Sequence, residues 1–311
     1  MTSKQTDTLD RLGSGSRVAI IRLRSLGDCV LTTPAIRLLK QARPDLRIGI
    51  VSEDRFAAVF ENNPDIAEIL PPRAGALRTF APMLCLNFHG GSRSARLTAL
   101  SGARIRAGFD IFRPKWVYNV RIPTAQETMG VARRVHTAEH MASAMFYLGV
   151  PISEVPRARL QPDCGASVHA PDRPYAVIHP LAATVEKTWP AENFRELARH
   201  FGQSMGLETV FIGGPGEDLS AFGPRRTVSG APLAEVMKLI RAAAFFAGND
   251  SGPAHVAAAF GVPQIVFFGP SDSEVWAPWR TPAEILKSDD GIRSISVARA
   301  IAAAERLRVT A

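Results

Sequence analysis

Asp28 lies in the segment SLGDCVLTTP, between the apolar run VAIIRL and the stretch AIRLLKQA, whose leucines recur at helical spacing. A glycine turn between a buried strand and a helix often binds phosphate through the free N–H groups of the helix. This turn instead carries a carboxylate, which repels phosphate but can accept a proton as a general base. The structural alternative is that Asp28 caps the N-terminus of the helix.

A second candidate site lies in FAGNDSGPAHVAAAFGVPQIVFFGPSD, residues 246–272. The pattern predicts an apolar strand, a turn at Ser251 and Gly252, and a helix opened by Pro253, at the position that proline prefers. Gly252 lets a ligand approach the backbone, and the positive end of a helix suits a diphosphate. The segment therefore predicts a site for a phosphorylated ligand.

Four further side chains stand near predicted strand ends, and each has a structural alternative. Asp250 either caps the helix or binds sugar hydroxyls, and His255 either faces the same site or packs in the core. Glu217, in FIGGPGEDL, either pairs with the dipole of a following helix or accepts hydrogen bonds from a ribose diol. Lys187, in IHPLAATVEKTWPAENF, is either a solvated lysine or a cation that neutralises a leaving phosphate.

Strands and helices must position these residues, and the hydrophobic pattern predicts both. RVAIIRL, RIGIVS and MLCLNF predict strands in the first half, and YAVIHP, ETVFIGG, FFAGND and PQIVFFGP do so in the second. PAIRLLKQA, AENFRELARHFGQ, LAEVMKLIRAA, PAHVAAAFG and SISVARAIAAAERLR predict helices. Continuous apolar strands that alternate with helices favour parallel sheets covered on both faces. We predict the α/β class, with two doubly wound, Rossmann-like domains facing a cleft and ligands at the carboxyl ends of the strands.

The domain boundary is predicted at residues 161–174, which are rich in Pro, Gly and polar residues. Residues 1–160 hold 23 Lys/Arg and 13 Asp/Glu, whereas residues 161–311 hold 14 and 16. The N-terminal domain, 1–160, is therefore expected to meet an anionic partner. Residues 1–16 are predicted to be disordered. In the C-terminal domain, 175–311, we leave open that the last helix packs back on the N-terminal domain.

Composition disfavours several classes of protein. The chain has no apolar signal-peptide core and no apolar stretch of about 18 residues, so a cytoplasmic protein is expected. Cys29, Cys85 and Cys164 lack a CxxC spacing, which indicates buried or incidental thiols. No nucleic-acid-binding pattern accompanies the basic half, and no GxGxxG spacing indicates a hydride-transfer enzyme.

Five motifs, in order, resemble glycosyltransferase family 9, the bacterial ADP-heptose:lipopolysaccharide heptosyltransferases. They are SLGDCVLTTPAIRLLKQARPDLRIGIV, NFHGGSRSARLTALSGARIRAGFD, IHPLAATVEKTWPAENFRELA, FIGGPGE and FAGNDSGPAHVAAAFGVPQIVFFGPSDSEVWAPW. The resemblance implies a GT-B fold, with the acceptor on the N-terminal domain and the nucleotide sugar on the C-terminal one. It also implies inverting transfer of heptose from ADP-L-glycero-D-manno-heptose to the lipopolysaccharide inner core, with no metal and no other cofactor.

The same resemblance implies roles for individual residues. Asp28 matches the family's catalytic base, Lys187 the lysine that contacts the donor phosphates, and Glu217 the acid that binds the ribose. The family's D-[ST]-G-x-x-H element, around the diphosphate and sugar, corresponds to Asp250, Ser251, Gly252 and His255. Where the family has a hydroxyl-bearing turn after the HP strand, this chain reads Leu-Ala-Ala-Thr, so Thr184 is the candidate for a phosphate contact.

An acceptor made of lipid A and inner-core sugars is anionic, which suits the basic N-terminal domain. Guanidinium groups bind phosphate and carboxylate bidentately. Five arginines are candidates for acceptor binding, of which we expect two or three to take part: Arg24, Arg93, Arg96, Arg104 and Arg106. The last four are expected to lie close together after the strand that ends at His89. A lipid acceptor also suggests peripheral contact with the inner membrane, although no amphipathic segment establishes it. A family member with a protein or other sugar as acceptor, and a non-catalytic nucleotide-sugar-binding paralogue, remain alternatives.

Overall fold

The computed structural model describes residues 5–310, and the chain divides into two compact units between Gln161 and Pro162. Residues 151–174 contain neither helix nor strand. Each unit is built on one sheet of six parallel strands.

The first unit orders its strands β3-β2-β1-β4-β5-β6. The strands are β1 (Arg17–Ile21), β2 (Arg47–Val51), β3 (Glu68–Leu70), β4 (Leu84–Asn87), β5 (Ile105–Phe109) and β6 (Val120–Ile122). The helices are α1 (Leu26–Ala42), α2 (Ala74–Phe80), α3 (Gly91–Leu100), α4 (Ala125–Met129) and α5 (Thr137–Leu148). Ile20, in the central strand, lies beside Ile50 and Leu86 and is fully buried, which explains why the central strands are continuously apolar.

The second unit orders its strands β12-β11-β10-β7-β8-β9, which is the same topology with β7 and β10 in the places of β1 and β4. The strands are β7 (Tyr175–His179), β8 (Glu208–Gly213), β9 (Arg226–Ser229), β10 (Phe245–Asn249), β11 (Gln264–Phe267) and β12 (Ala283–Leu286). The helices are α6 (Ala191–Ser204), α7 (Leu233–Arg241), α8 (Gly252–Phe260), α9 (Ser273–Trp276) and α10 (Val297–Thr310). Trp189 is fully buried in this core, stacked on Phe267 with ring centroids 4.0 Å apart.

The predicted fold class is confirmed, and each of the seven strands and five helices predicted from the hydrophobic pattern coincides with an observed element. The unpredicted strands β3, β5, β6, β9 and β12 are three to five residues long. Short strands at or near a sheet edge bury little surface, so their hydrophobic pattern is weak.

Two local predictions differ from the structure. Residues 1–4 of the predicted disordered segment lie outside the described residues, but Thr8–Arg11 form a 3-10 helix. Leu9 and Leu12 are buried, and Arg43 donates hydrogen bonds to both of their carbonyl oxygens, which explains why this segment is ordered. The helix predicted after β8 is only the 3-10 helix Ser220–Phe222. The last helix, α10, packs on α6, β11 and β12 of its own unit.

Candidate active site

Asp28 lies at the topological switch point of the first sheet. Strands β1 and β4 are neighbours, and their connections leave in opposite directions, which opens a crevice at their carboxyl ends. Asp28 is the third residue of α1, so its carboxylate lies near the positive end of the helix without being the cap residue. The cap position belongs to Ser25, whose φ of 71° is rare for a residue other than glycine. Strained backbone of this kind is typical of functional turns.

Arg22 holds the carboxylate of Asp28. Its Nη1 lies 3.4 Å from Asp28 Oδ1, and the two side chains are 5% and 23% exposed. Burial lowers the pKa of the Arg22 guanidinium, and Asp28 opposes that shift. Arg22 was not among the predicted residues; it turns inward, whereas Arg24, the predicted residue beside this turn, is exposed. One carboxylate is therefore fixed at the edge of the crevice by a buried cation.

The turn after β4 forms the other side of this crevice. Asn87, fully buried at the end of β4, accepts hydrogen bonds from the backbone N–H groups of His89 and Gly90. Burial lowers the pKa of the half-buried His89, Arg22 and Arg24 lower it further, and Asp28 opposes them. The neutral imidazole is therefore favoured beside the carboxylate, and a neutral ring offers one donor and one acceptor nitrogen to a ligand.

The structure separates the predicted acceptor arginines. Arg93 and Arg96 are exposed on α3, which starts at the carboxyl edge, and Arg93 pairs with Glu53 at 2.8 Å. Arg104 and Arg106 instead lie at the amino end of β5, where Ile105 pairs with Leu84 at the start of β4. Arg106 also donates to the Val117 carbonyl oxygen at 2.7 Å. The predicted grouping of the four was wrong, because α3 carries the chain from one edge of the sheet to the other. Acceptor contact remains a prediction.

In the second unit, Asn249 positions the loop that carries Lys187. This side chain is fully buried at the end of β10; it donates to the Pro180 carbonyl oxygen at 2.8 Å and accepts from the Trp189 N–H at 3.0 Å. Both ends of the loop 180–189 are therefore attached to the central strand. Trp189 also donates from Nε1 to the Ile295 carbonyl oxygen at 2.8 Å, which fixes the end of the loop in the core.

Lys187 and Asp250 are brought together, as the predicted site requires. Lys187 Nζ lies 3.9 Å from Asp250 Oδ2, with the side chains 36% and 11% exposed. Burial raises the pKa of Asp250, whereas a hydrogen bond to Ser271 and the charge of Lys187 lower it. Asp250 does not cap α8, because the cap position belongs to Ser251. Asp250 is therefore available to a polar ligand, with a lysine beside it.

His179 connects two of the predicted residues and was itself not predicted. It is the last residue of β7, and its Nδ1 lies 2.9 Å from Ser251 Oγ, while its Nε2 lies 4.0 Å from Glu217 Oε2. Burial lowers its pKa to about 4, against the opposing charge of Glu217, so the ring is neutral at pH 7. A neutral imidazole orients the Ser251 hydroxyl at the start of α8 without adding charge. The sequence feature that could have indicated His179 is a polar residue at the end of an apolar strand.

Glu217 lies at the turn after β8. The Gly214 N–H donates to Glu217 Oε2 at 2.6 Å, which fixes the carboxylate at the carboxyl edge of the sheet. No hydrogen bond joins its Oε1 to any residue in the described range 5–310. This oxygen can accept a hydrogen bond from a ligand.

The remaining predicted residues are Gly252, at the start of α8, the buried His255 and the exposed Thr184. Gly252 begins α8, whose first turn contains no acidic side chain, so the helix N-terminus is open to an anion. His255 is 5% exposed on the same helix, with its ring centroid 6.4 Å from that of Trp276, as in the core-packing alternative. Thr184 is exposed, and its hydroxyl hydrogen-bonds to the carboxylate of Glu186, whose pKa it helps to lower.

Gly269 lies against the turn that carries Lys187. A Cβ added at this glycine would overlap the Glu186 carbonyl oxygen and stand 3.2 Å from the Lys187 Cα. Only a residue without a side chain allows the loop after β11 to approach this turn so closely.

The two edges therefore differ in chemistry. The first presents the carboxylate of Asp28 beside a buried arginine, and the second presents Lys187, the Ser251 hydroxyl and an open helix N-terminus together with the carboxylates of Asp250 and Glu217. Within residues 5–310, no three His, Cys, Asp or Glu side chains are arranged to hold a metal ion. Cys29 and Cys85 are buried, and burial raises both thiol pKa values to about 12, so neither is a nucleophile at neutral pH.

Comparison with known families gives the class of enzyme. Residues 76–297 match glycosyltransferase family 9 (heptosyltransferase), and they make up more than half of the chain. The chain belongs to glycosyltransferase family 9. The resemblance noted in the sequence is thus confirmed, and the protein is a glycosyltransferase.

Relatives of this family 9 protein share its length and fold. Lipopolysaccharide heptosyltransferase 3 of Escherichia coli K12 is 25% identical, with 83% of this chain and 83% of that protein covered. The crystal structure of a family 9 glycosyltransferase from Veillonella parvula has a TM-score of 0.83 at 24% identity, covering 99% of this chain and 100% of the other. E. coli ADP-heptose lipopolysaccharide heptosyltransferase II has a TM-score of 0.78 at 19% identity, covering 94% and 99%. These structures support the two-domain GT-B class.

One further property concerns the membrane. Across the described part of this family 9 chain, no helix has the length and the apolar character needed to cross a bilayer.

Proposed function

We propose that this protein transfers heptose from ADP-L-glycero-D-manno-heptose to the inner core of lipopolysaccharide, with inversion at the anomeric carbon and without a metal ion. Family membership supports heptosyl transfer, and relatives named as lipopolysaccharide and ADP-heptose heptosyltransferases support the acceptor and donor. The observation that carries the proposal is the arrangement of Lys187, Ser251 and the α8 N-terminus at the switch point of the second sheet.

The donor is proposed to bind at this edge. The free N–H groups at the start of α8 and the hydroxyl of Ser251 donate to the diphosphate. Lys187, 3.9 Å from Asp250, supplies the charge that opposes the phosphates. Glu217 Oε1 accepts from the ribose diol, and Asp250 accepts from the sugar hydroxyls. His255, buried in α8, is assigned to shaping the sugar end of the site, and Thr184 to a secondary phosphate contact.

Asp28 is proposed to act as the base. The acceptor hydroxyl oxygen attacks the anomeric carbon of the heptose, the bond from that carbon to the ADP oxygen breaks, and ADP leaves with the electron pair. The hydroxyl proton passes to the carboxylate of Asp28, which Arg22 holds in place. A single displacement of this kind inverts the anomeric centre. Aspartate side chains are ordinarily ionised at neutral pH and are weak bases, so the transfer is expected late, when the attacking oxygen has become acidic.

Negative charge that develops on ADP is proposed to be stabilised by the protein itself. Lys187 and the positive end of α8 face the leaving diphosphate, which is where a metal ion would otherwise act. Two or three of the five predicted arginines are proposed to bind acceptor phosphates and carboxylates. Arg24, Arg93 and Arg96 are favoured, because they lie on the turn and the helix at the carboxyl edge of the sheet, where Asp28 lies. We assign the reaction to the cytoplasm.

The test is to incubate the purified full chain with ADP-heptose and lipopolysaccharide from a heptose-deficient strain. We expect release of ADP, a gain of one heptose by mass spectrometry, and an inverted anomeric configuration by NMR, all unchanged by a chelator. Lipopolysaccharide with a complete core serves as the control acceptor and should gain nothing. Binding of ADP-heptose without transfer to any lipopolysaccharide would point to a different acceptor, and loss of activity with the chelator would contradict metal independence.

A further inference from the structure

The connection between β5 and β6, residues 110–119 and here called the β5–β6 loop, exposes two large apolar side chains. Ile111 is 68% exposed and Trp116 is 75% exposed. Tryptophan is on average highly buried in folded proteins, so a side chain left this open is unusual. The two residues lie five positions apart on one loop of the first unit.

The β5–β6 loop is held firmly in its shape. Phe112, between the two exposed residues, packs edge-on against Phe109 with ring centroids 5.6 Å apart. A Cβ added at Gly90 would stand 2.8 Å from the Phe112 ring, so the loop is seated directly on the turn after β4. Arg113 donates to the Asp110 carbonyl oxygen at 2.8 Å, which closes the loop on itself. Ile111 and Trp116 are therefore presented to solvent by packing elsewhere in the loop.

Cations surround these apolar side chains. Lys115 pairs with Asp110 at 2.9 Å, and this hydrogen bond, with the nearby charges of Arg121 and Arg113, lowers the pKa of Asp110. Three cations around one carboxylate leave a net positive charge beside the exposed Trp and Ile. Tryptophan is favoured at the boundary between headgroups and acyl chains, and Lys and Arg are attracted to anionic headgroups.

We propose that the β5–β6 loop docks on a bilayer with anionic headgroups by inserting Ile111 and Trp116. Charge complementarity selects this partner over a second copy of the chain, because two copies of a net-positive loop repel each other. Phe112 and Gly90 attach the start of the loop to the edge of the sheet that carries Asp28, whereas the hydrogen bond from Arg106 to the Val117 carbonyl oxygen attaches its end near the opposite edge, so docking places this side of the first unit at the membrane. This inference rests on the proposed function, because docking is useful to an enzyme whose lipid-linked acceptor lies at the membrane surface.

The binding test is sedimentation of the full chain with vesicles of phosphatidylethanolamine and phosphatidylglycerol, and with neutral phosphatidylcholine vesicles. We expect the wild type to prefer the anionic vesicles. The double variant Ile111→Ser with Trp116→Ser should bind them about tenfold or more weakly, and Arg113→Gln about fivefold more weakly at low salt. Val168→Ser is the matched control, because Val168 is 81% exposed in the second unit and should have no effect.

A second measurement does not depend on a disruptive variant. Brominated lipids should quench tryptophan fluorescence in the wild type, and Trp116→Phe, which keeps the apolar ring, should remove most of that quenching. Equal vesicle binding by wild type and double variant, or no preference of the wild type for anionic vesicles, would overturn the proposal. So would a dimer of the wild type that the double variant loses without any change in vesicle binding.

Transfer assays separate this proposal from the proposed function. With a delipidated acceptor in solution, the double variant should turn over as fast as the wild type, whereas with acceptor embedded in vesicles it should be about tenfold slower or more. An equal loss with both acceptors would make the loop part of the acceptor site and would overturn docking. Vesicle binding that depends on Trp116, in a chain that consumes no ADP-heptose, would support docking while the proposed function failed.

Discussion

Helices α1 and α8 both start at the switch point of a six-stranded parallel sheet, but α1 follows β1 whereas α8 follows β10, the counterpart of β4, and the two helix starts are used differently. In the first unit the initial turn of α1 contains its own acid, Asp28, paired with the buried Arg22. In the second unit the initial turn of α8 contains no acid, and the adjacent His179 is neutral. A helix end already matched by a carboxylate can position a proton acceptor, whereas an open one can receive a diphosphate. The same strand order thus carries two kinds of helix start, one after the first strand of its sheet and the other after the fourth.

A buried asparagine ends the fourth strand of each sheet, and it too is used differently. Asn87 binds the N–H groups of the turn that follows it, whereas Asn249 binds both ends of the loop after the neighbouring strand. The first arrangement stabilises a turn beside Asp28, and the second positions the loop that carries Lys187.

The largest expected effect is the loss of transfer when the carboxylate of Asp28 is removed. Asp28→Asn keeps the shape of the side chain but removes the proton acceptor, so we expect transfer to fall by about a hundredfold to ten-thousandfold. The affinity for ADP-heptose, measured by calorimetry, should stay within about twofold, because the donor is assigned to the other unit.

Asp54→Asn is the matched control for this prediction, because Asp54 is an exposed aspartate of the same unit. It should leave transfer unchanged. Near wild-type transfer by Asp28→Asn would remove Asp28 from the role of base.

The second prediction breaks the other site. Lys187→Met removes the cation beside Asp250, so we expect the affinity for ADP to fall by about tenfold to a hundredfold. Lys238→Met is the control, because Lys238 pairs with Glu235 on α7, away from the strand ends, and should bind ADP normally. Equal ADP affinity in both variants would show that Lys187 is only a solvated lysine.

The smallest effect concerns the neutral histidine. The pKa of His179 is about 4 in the folded chain, against about 6.5 for an ordinary histidine. Between these values the unfolded chain binds more protons than the folded chain, so stability rises with pH across this window and falls on acidification. We expect the melting temperature to drop between pH 7 and pH 4.5, and the drop to be smaller by roughly 3–6 °C in His179→Gln.

His140 is the matched control in the first unit, because burial lowers its pKa to about 4 as well. His140→Gln should flatten the melting profile similarly but leave the affinity for ADP unchanged, whereas His179→Gln should weaken it by disturbing Ser251. An identical pH profile in wild type and His179→Gln would show that His179 does not stay neutral.

The sequence predicted most of the central framework, because buried parallel strands must be continuously apolar and residues after them must meet at one edge. Lys187, Asp250 and Ser251 were placed together for that reason. Arg22 was missed because Arg22 and Arg24 are two positions apart, and side chains two positions apart in a strand point to the same face. The alternation of side chains along the strand therefore does not indicate which of the two arginines turns inward. Arg104 was misplaced because the ten residues of α3 span about 15 Å, enough to move the chain to the opposite edge.

Gly269 affects the proposed donor site through packing alone. It lies against the turn of Glu186 and Lys187, so close that an added Cβ would overlap the Glu186 carbonyl oxygen. Any side chain at this position would therefore act as a wedge and shift Lys187 away from Asp250. If Lys187 binds the donor phosphates as proposed, variation at Gly269 would change the affinity for the donor without replacing any residue assigned to the reaction.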